Sequence, residues 1–372
     1  MKVEEIYKNN NCTGCGSCVA VCPVNAISLV IDKQTGIYKP YVNKELCTNC
    51  NLCIKVCPGW KTPINQKLLG NYTKIYNGQS CVKKIREMSS SGGALTQILI
   101  SLMKEKKIDG AIVTIMNGLV SKPIIATTKK ELINAIGSKY CPTPQNIMLK
   151  DILKSKKKHK YAFVGLPCHI HGLKNMEKLY PQLKEKIYIS LGLFCSRCPS
   201  FKATEKLLNK LNINLEKVQK IKYREKYNML IYLKDKSKYK LKYKEYWNTD
   251  FKFNIPVRCL MCPDRLNDFC DISFGDDWES QSSVVIVRNQ KALEIIQGIK
   301  KLILTKFDDT KIKMLKKQSI FKKINLHPRL LILKICGYKI PIFNHALPRA
   351  NLLQYLTTLL FYTKYRYYQK KN

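Results

Sequence analysis

The chain has 372 residues, a length that predicts two or three domains at roughly 150 residues each. Its composition is 45% hydrophobic and 25% charged, with 17 cysteines and a formal net charge of +40. These values exclude collagen-like and disordered classes, and no apolar stretch is long enough to predict a membrane-spanning helix. The first ten residues lack the apolar core of a signal peptide, so we expect a cytoplasmic protein whose reduced cysteines bind metal.

The basic residues are unevenly distributed along the chain. Residues 1–60 carry a net charge of +2, whereas residues 310–372 carry fourteen Lys and Arg and no acid. Lysines outnumber arginines 57 to 9, and reading of base edges favours Arg, so we expect no specific binding of nucleic acid. A Lys-rich solvated surface is the simplest interpretation, and a general attraction to anions is the alternative.

Two N-terminal segments share the spacing C-x2-C-x2-C-x3-C-P, which is typical of bacterial ferredoxins with two [4Fe–4S] clusters. In this pattern three cysteines of one run and the fourth cysteine of the other run bind the same cluster. The two predicted ligand sets are Cys12, Cys15, Cys18 and Cys57, and Cys47, Cys50, Cys53 and Cys22. Zinc is the alternative, but a duplicated run with both prolines does not favour it. We therefore predict a ferredoxin domain over residues 1–60 that transfers electrons.

Residues 61–80 look like a linker, and strand–turn–helix patterns follow. Residues 89–93 combine three serines with two glycines before a helical pattern, which can hold an anion through free backbone N–H groups or simply cap the helix. Strands are predicted at residues 109–116, 161–164 and 187–194, and a hairpin at 223–246. Such βα units predict a largely parallel sheet with ligands at the carboxyl ends of its strands.

Nine further cysteines lie outside the N-terminal runs. The pairs Cys195/Cys198 and Cys259/Cys262 are compatible with a zinc site, with a third iron–sulfur cluster or with unliganded thiols. Four others, Cys81, Cys141, Cys270 and Cys336, are expected to be ordinary small buried residues.

Five segments, in this order along the chain, together resemble the coenzyme F420 hydrogenase/dehydrogenase beta-subunit family in its form with a fused two-cluster ferredoxin. They are SSSGGALT (89–96), IGSKYCPTP (136–144), FVGLPCHIHGLK (163–174), ISLGLFC (189–195) and CLMCPDRLNDFCDISFGDDW (259–278). The resemblance covers residues 1 to about 300. It implies an α/β flavoprotein domain over residues 81–309, with FAD, a third [4Fe–4S] cluster and an oxidoreductase activity.

The resemblance also implies site residues. The third cluster falls on Cys168, Cys195, Cys259 and Cys262, while Cys198 departs from the family pattern and competes with Cys168. The flavin-contacting residues are Ser89, Ser90, Ser91, Gly92, Gly93, Gly137, Ser138, Lys139 and Tyr140, with Lys139 as the catalytic candidate. Asp271, Asp276, Asp277 and Trp278 match a family signature to which the sequence gives no role, and Glu279 replaces a frequent glycine.

Three functions are compatible with these features. The first is transfer of electrons from reduced coenzyme F420 through FAD and clusters to a partner subunit or a soluble ferredoxin. The second keeps the fold but changes the substrate to one associated with polysaccharide biosynthesis. The third is a non-enzymatic basic module on nucleic acid or a membrane. The basic tail, residues 310–372, is expected to dock on its own domain or a partner, with peripheral contact to an anionic membrane as the alternative.

Overall fold

The computed structural model describes residues 2–225, 227–343, 345 and 350–370. The strands are β1 (Ile27–Ile31), β2 (Tyr38–Val42), β3 (Lys61–Thr62), β4 (Lys74–Ser80), β5 (Gly110–Asn117), β6 (Val120–Ala126), β7 (Tyr161–Gly165), β8 (Ile187–Leu193), β9 (Val218–Glu225), β10 (Asn228–Leu233), β11 (Lys238–Lys242), β12 (Ile272–Asp277), β13 (Ser282–Val287), β14 (Leu302–Lys306) and β15 (Ile342–Phe343). The helices are α1 (Val3–Lys8), α2 (Ser17–Ala20), α3 (Leu52–Lys55), α4 (Lys83–Met88), α5 (Ala94–Lys104), α6 (Lys129–Asn134), α7 (Leu149–Lys154), α8 (Pro167–Leu179), α9 (Pro181–Lys186), α10 (Phe201–Lys210), α11 (Tyr243–Trp247), α12 (Val257–Leu260), α13 (Gln290–Gln297), α14 (Asp309–Lys323), α15 (Leu326–Ile335) and α16 (Leu352–Lys370). The fold class, a cysteine-rich module followed by an α/β domain, is confirmed.

The two N-terminal cysteine runs fold alike. Helix α2 carries Cys18 and α3 carries Cys53, and each helix begins after a residue with positive φ, Gly16 at 87° and Asn51 at 60°. Glycine and asparagine tolerate this left-handed conformation best, so the sequence itself encodes the duplicated turn. Strands β1 and β2 form an antiparallel hairpin between the runs.

The central sheet has eight strands in the order β14-β4-β13-β12-β8-β7-β5-β6. Strands β12, β8, β7 and β5 are parallel to one another, whereas the outer strands pair antiparallel with their neighbours. The expectation of a largely parallel sheet therefore holds only for its middle. Very short connections join β5 to β6 and β12 to β13, and short connections can join only antiparallel neighbours.

The stretch expected to be a linker contains an inner strand of this sheet. Strand β4 pairs with β13 on one side and β14 on the other, and β3 pairs with β15 of the C-terminal region. The sequence of β4, KIYNGQS, is largely polar, so it carries little of the apolar alternation by which strands are recognised. Its place depends on partner strands more than 200 residues away.

Helices cover both faces of the sheet. On one face α5 and α13 pack with the buried strand residues. On the other face Ile170 and Leu173 of α8 share a core with Ala20 and Val56 of the cysteine-rich module. The module is thus packed directly onto the α/β domain.

The residues of the segment 310–370 that the structure describes pack as part of the domain. Helices α15 and α16 share a core with Ile255, Leu260 and Met261 around α12, and Lys322 and Lys323 of α14 are buried. The described residues of the predicted hairpin at 223–246 lie mostly in the antiparallel sheet of β9, β10 and β11, but the last of them, residues 243–246, belong to helix α11. None of the helices that the structure describes is both long and apolar enough to span a bilayer.

The four cysteines without an assigned ligand role differ in burial. Cys141 and Cys270 are buried as expected, but Cys81 and Cys336 are exposed. Cys81 lies in the turn after β4, and Cys336 caps the end of α15. Cysteine is usually buried, but turns and helix ends tend to lie at the surface whatever residue they carry.

Candidate functional site

A cavity of about 560 Å³ opens at the carboxyl edge of the parallel strands. It is lined by Leu166 after β7, by Phe194 after β8 and by Asp276 at the end of β12. Ligands of α/β sheets bind at this edge because the loops that follow the strands leave a crevice there. The volume falls within the range of roughly 300–1,000 Å³ that is usual for small-molecule sites.

Both segments assigned to flavin binding come together in this cavity. The lining includes Ser89, Ser90, Ser91, Gly93, Gly137, Ser138, Lys139 and Tyr140. The Ser90 hydroxyl accepts hydrogen bonds from the N–H and the hydroxyl of Ser138, both at 2.9 Å, and so joins the two segments. Gly92 lies behind the lining: a Cβ there would approach the carbonyl oxygen of Gly78 to 2.5 Å, so glycine lets the loop pass close to β4.

Helix α5 begins at the cavity wall. Its N-terminal cap, Gly93, has a φ of 74°, and Ala94, Leu95 and Thr96 of its first turn line the cavity. The N–H groups of a first helical turn have no acceptor within the helix, and they favour an anionic group. The loop of serines and glycines therefore presents the anion-binding geometry that the sequence suggested.

Arg224 is a buried cation of the cavity wall that the sequence analysis did not identify. It donates to the two carboxylate oxygens of Asp276 at 2.6 and 2.7 Å, donates to the carbonyl of Ser90, and lies 4.8 Å from the ring centroid of Trp278. Burial alone would lower the pKa of Arg224, but the hydrogen bonds to Asp276 outweigh it and raise that pKa. Asp276 and Trp278 thus hold Arg224, which in turn holds the Ser90 loop. Arginine is rare in this Lys-rich chain, and this rarity was the one feature of the sequence that could have drawn attention to Arg224.

The other two aspartates of the signature hold the ends of β12. Asp271 accepts hydrogen bonds from the N–H and hydroxyl of Ser190, both at 2.7 Å, and so ties β12 to β8. Asp277 accepts from Lys311 at 2.8 Å and from Ser280 at 2.7 Å. Both residues therefore fix the strand that carries Asp276 into the cavity.

Lys139 lines the cavity but turns its ammonium back onto the backbone. Its Nζ donates to the carbonyl oxygens of Ala135, Ile136 and Gly137, which close the end of α6. Burial lowers the pKa of Lys139 to about 7. The side chain can therefore gain or lose a proton near neutral pH, which suits a group that responds to the charge of a bound cofactor.

The cysteines of the two N-terminal runs lie close to one another. The pKa of the Cys18 thiol is raised well above its usual value by burial, and further by the neighbouring thiols of Cys12, Cys15 and Cys57. In the second set, burial raises the pKa of Cys53, and Cys50 and Cys47 add to the shift. Cys22 packs in the same small core as Cys47 and Cys53. Buried thiolates need a compensating positive charge, and iron supplies it.

Five cysteines meet at the predicted third group. Burial raises the pKa of Cys168, and its neighbours Cys15, Cys195, Cys262 and Cys259 raise it further. Cys198 is likewise shifted by burial and by Cys259 and Cys195. The group therefore offers one more thiol than a [4Fe–4S] cluster needs, and Cys168 and Cys198 remain rival ligands. Cys168 also adjoins Cys15 of the N-terminal module.

A shell of cations surrounds this third group. Lys322 donates to the carbonyl of Cys259 at 2.8 Å, and its positive charge acts on Cys195, Cys259 and Cys262. Arg197, Arg258, Arg265 and Arg329 also act electrostatically on cysteines of this region. Lys322 and Arg329 come from the C-terminal helices, so no local pattern in the sequence indicates their position.

The loop after Cys262 is held by a buried ionic network. His171 Nε2 and the Asp264 carboxylate lie 3.0 Å apart, and Asp268 pairs with Lys323 at 2.5 Å and with Arg288 at 3.4 Å. Because these charges are buried together, they support one another and fix the loop. Removal of one member would leave its partner buried and unpaired.

Among the described residues, no group of three or more His, Cys, Asp or Glu side chains is close enough to hold a single metal ion. The ligands of one zinc ion have sulfur atoms about 3.8 Å apart, given Zn–S bonds of roughly 2.3 Å. The cysteines of a [4Fe–4S] cluster bind four different irons, so their spacing is wider. The all-thiol donor sets present here fit such clusters.

Comparison with known proteins gives matches to three family models. "Coenzyme F420 hydrogenase/dehydrogenase, beta subunit" matches over residues 75–150 for its N-terminal part and 158–311 for its C-terminal part. A "4Fe-4S dicluster domain" matches residues 11–59.

Individual relatives agree with these models. The coenzyme F420-dependent sulfite reductase of Methanocaldococcus jannaschii is 27% identical over 85% of this chain, which spans only about half (51%) of that relative. The coenzyme F420 hydrogenase subunit beta of Methanothermobacter thermautotrophicus is 27% identical over 62% of this chain and 82% of its own length. A chain of the F420-reducing [NiFe] hydrogenase complex from Methanosarcina barkeri shares the fold, with a TM-score of 0.59 and 22% identity over 75% of this chain and 98% of that one.

Proposed function

Because the chain belongs to the coenzyme F420 hydrogenase/dehydrogenase beta-subunit family, a family of oxidoreductases with F420-linked redox chemistry, we propose that it takes electrons from reduced coenzyme F420 and passes them through FAD to iron–sulfur clusters. The observation that supports this proposal is the closeness of the cavity to the cysteine groups. The cavity that holds both flavin-assigned segments also exposes Cys195 and Cys198, and Cys168 of the same cysteine group adjoins Cys15.

The lining of the cavity offers groups that suit the phosphates and the planar ring of FAD. The first turn of α5 and the glycine-rich loop would bind phosphate, while Tyr140, Tyr243 and Trp247 offer aromatic surfaces for a planar ring. When bound, FAD would accept one hydride, with its two electrons, and would release these electrons one at a time to a cluster, which a deazaflavin does not do. Lys139, beside Gly137 and Ser138, is proposed to respond to the charge of the flavin.

The cysteine groups would act as an ordered exit path. The third group is proposed to hold a [4Fe–4S] cluster on Cys195, Cys259, Cys262 and Cys168. Because Cys15 acts electrostatically on Cys168, the set of Cys12, Cys15, Cys18 and Cys57 is proposed to come next in the path. The set of Cys22, Cys47, Cys50 and Cys53 is proposed to be the last. A partner subunit or a soluble ferredoxin would accept the electrons there, since relatives are named as subunits of larger enzymes. A cytoplasmic location is part of this proposal.

The test is anaerobic purification followed by iron and flavin quantification and an assay of F420-dependent viologen reduction. We expect about twelve irons, four for each of three clusters, with bound FAD and activity. Cys259→Ser should lose about four irons and most activity while it keeps FAD. The matched control, Cys336→Ser at an exposed and unassigned thiol, should change neither value.

Two results would redirect the proposal. Flavin-free protein with about eight irons would remove both FAD and the third cluster. Protein with about twelve irons and bound FAD that does not react with F420 would keep the flavin and the three clusters in the proposal. It would favour the alternative substrate, one associated with polysaccharide biosynthesis.

A further inference from the structure

The C-terminal helix α16 has apolar side chains on two opposite faces. Thr358, Tyr362 and Tyr365 are buried against the rest of the molecule, and the two tyrosines share a core with Ile255 and Leu260. The opposite face carries leucines at spacings of three and four residues that stay exposed. A helix with apolar side chains on two opposite faces buries only one of them against its own domain, so the other face is left for a second apolar environment.

Helix α15 extends this outward apolar face. His327 near the start of α15 is hydrogen-bonded to Tyr355 near the start of α16 at 2.7 Å, and Cys336 after α15 adjoins Tyr362. The helices therefore run side by side in the same direction. Together they present a leucine face, defined here as Leu331, Ile335, Leu352, Leu353, Leu356, Leu359 and Leu360, whose members are 44% to 77% exposed. Exposed apolar side chains grouped on two neighbouring helices in this way indicate an interaction site.

The segment that carries the leucine face, residues 310–372, contributes only positive charge. That segment has fourteen Lys and Arg and no acid. Lys322, Lys323 and Arg329 are buried and Lys311 pairs with Asp277, but Lys313, Lys316, Lys317, Lys334 and Lys339 remain exposed. Lys334 and Lys339 flank Ile335 itself. The surface therefore complements a partner that is both apolar and anionic.

We propose that the leucine face and its flanking lysines dock this protein onto an anionic membrane surface. An apolar helix face set among lysines matches the way in which interfacial helices bind, with leucines at the acyl boundary and cations at the headgroups. A second copy of the chain would oppose two surfaces of the same strong positive charge. Protein interfaces favour Tyr, Trp, Met and Arg at their centres, whereas this face is built from Leu and Ile.

The test is sedimentation of the iron-loaded full chain with vesicles of phosphatidylcholine alone or with about 30% phosphatidylglycerol. We expect binding to the anionic vesicles, weaker binding to neutral ones, and a loss of affinity as salt rises. The double variant Leu356→Gln/Leu360→Gln should lower the partition coefficient at least about tenfold. Leu46→Gln in the cysteine-rich module is the matched control, because Leu46 is exposed to the same degree as Leu356, 50% against 51%, and it should bind like the wild type.

Several outcomes would overturn the proposal. Wild-type protein that does not sediment with anionic vesicles contradicts it directly. Binding that the double variant retains shows that the lysines act without the leucine face. If light scattering shows a dimer for the wild type and a monomer for the double variant, and neither binds vesicles, the leucine face is a contact with a second copy of the chain instead. Iron content and F420 activity are measured on the same preparations, so failure here is distinguishable from failure of the proposed function.

Discussion

Arginine is scarce in this chain, yet five of its nine copies lie at the cavity or near the assigned cysteines. Arg197, Arg224 and Arg265 line the cavity, and Arg258 and Arg329 are buried near the cysteines. The planar guanidinium is more weakly hydrated than an ammonium group and binds carboxylates through two bonds, so its burial costs less. Lysine, in contrast, supplies most of the solvated surface, as the composition predicted. The functional cations are thus the minority that the net charge conceals.

The pKa of Lys139 leads to a prediction about pH. Its pKa is lowered to about 7, so the ammonium is present below pH 7 and lost above it. Affinity for the anionic FAD should therefore fall about tenfold as pH rises through 7 in the wild type. In Lys139→Arg the charge persists, and the affinity should stay level over the same range. Fluorescence titration of flavin-depleted protein measures both, and identical pH profiles would exclude Lys139 from flavin binding.

The buried charge of Lys322 leads to a prediction about the third cysteine group. A reduced cluster carries one more negative charge, which a nearby buried cation stabilises. If the third cluster is present, Lys322→Met should lower its midpoint potential by roughly 60 mV, equivalent to about 1.4 kcal/mol. Redox titration followed by electron paramagnetic resonance measures the shift. Lys316→Met on the exposed side of the same helix should leave the potential unchanged, and an equal shift in both variants would contradict a local effect.

At the scale of elements, the junction between α2 and α8 connects the two redox parts of the chain. Asn146 donates from its backbone to the carbonyl of Cys15 at 2.9 Å, and from its side chain to Ser17 at 2.9 Å. Gly172 of α8 faces this contact, since a Cβ there would lie 2.2 Å from Ser17 Oγ. The sequence predicted the cysteine run and the strand–turn–helix unit that contains α8, but it did not predict the contact between them. Helices α2 and α8 each have an ordinary local sequence pattern, and their close approach depends on the small size of Gly172.

Gly172→Ala should therefore disturb the junction. The added methyl group must displace Ser17 and Asn146, which we expect to cost about 1–3 kcal/mol in the free energy of unfolding and to slow reduction of the N-terminal clusters by F420. Urea denaturation and stopped-flow spectroscopy measure the two effects. Gly298→Ala is the control, because the nearest atom to its new Cβ is 3.6 Å away. If the two variants have the same free energy of unfolding and the same reduction rates, the contact between α2 and α8 tolerates the added methyl group.

At the scale of the whole molecule, the two parts have unequal cores. The central sheet has extensive apolar clusters on both faces, whereas the inner core of the cysteine-rich module consists of Val3, Ile27, Val42 and cysteines. A module of about 60 residues with so small a core needs its metal to stay folded. Its stability is therefore expected to follow its iron content.

Removal of iron by chelation under anaerobic conditions should unfold this module alone. We expect hydrogen exchange over residues 1–57 to become fast, while the strands of the eight-stranded sheet keep their protection. Mass spectrometry of the exchanged peptides, with the iron-loaded protein as reference, measures both regions. Full protection of the N-terminal residues without iron would show that packing against α8 is sufficient.

What the sequence determined by itself is the local chemistry: the cysteine spacing, the turns at Gly16 and Asn51, the strand–turn–helix units and the loop before α5. These features depend on residues that are a few positions apart, so they can be recognised in the sequence. The tertiary structure decided the inner position of β4, the ion pair of Arg224 with Asp276 and the approach of Lys322 to Cys259. It also packed α15 and α16 of the acid-free C-terminal segment against the rest of the molecule and left a second apolar face of α16 exposed. Each of these depends on contacts between residues more than 50 positions apart, which no local pattern specifies because any of several polar or apolar segments could occupy the same place.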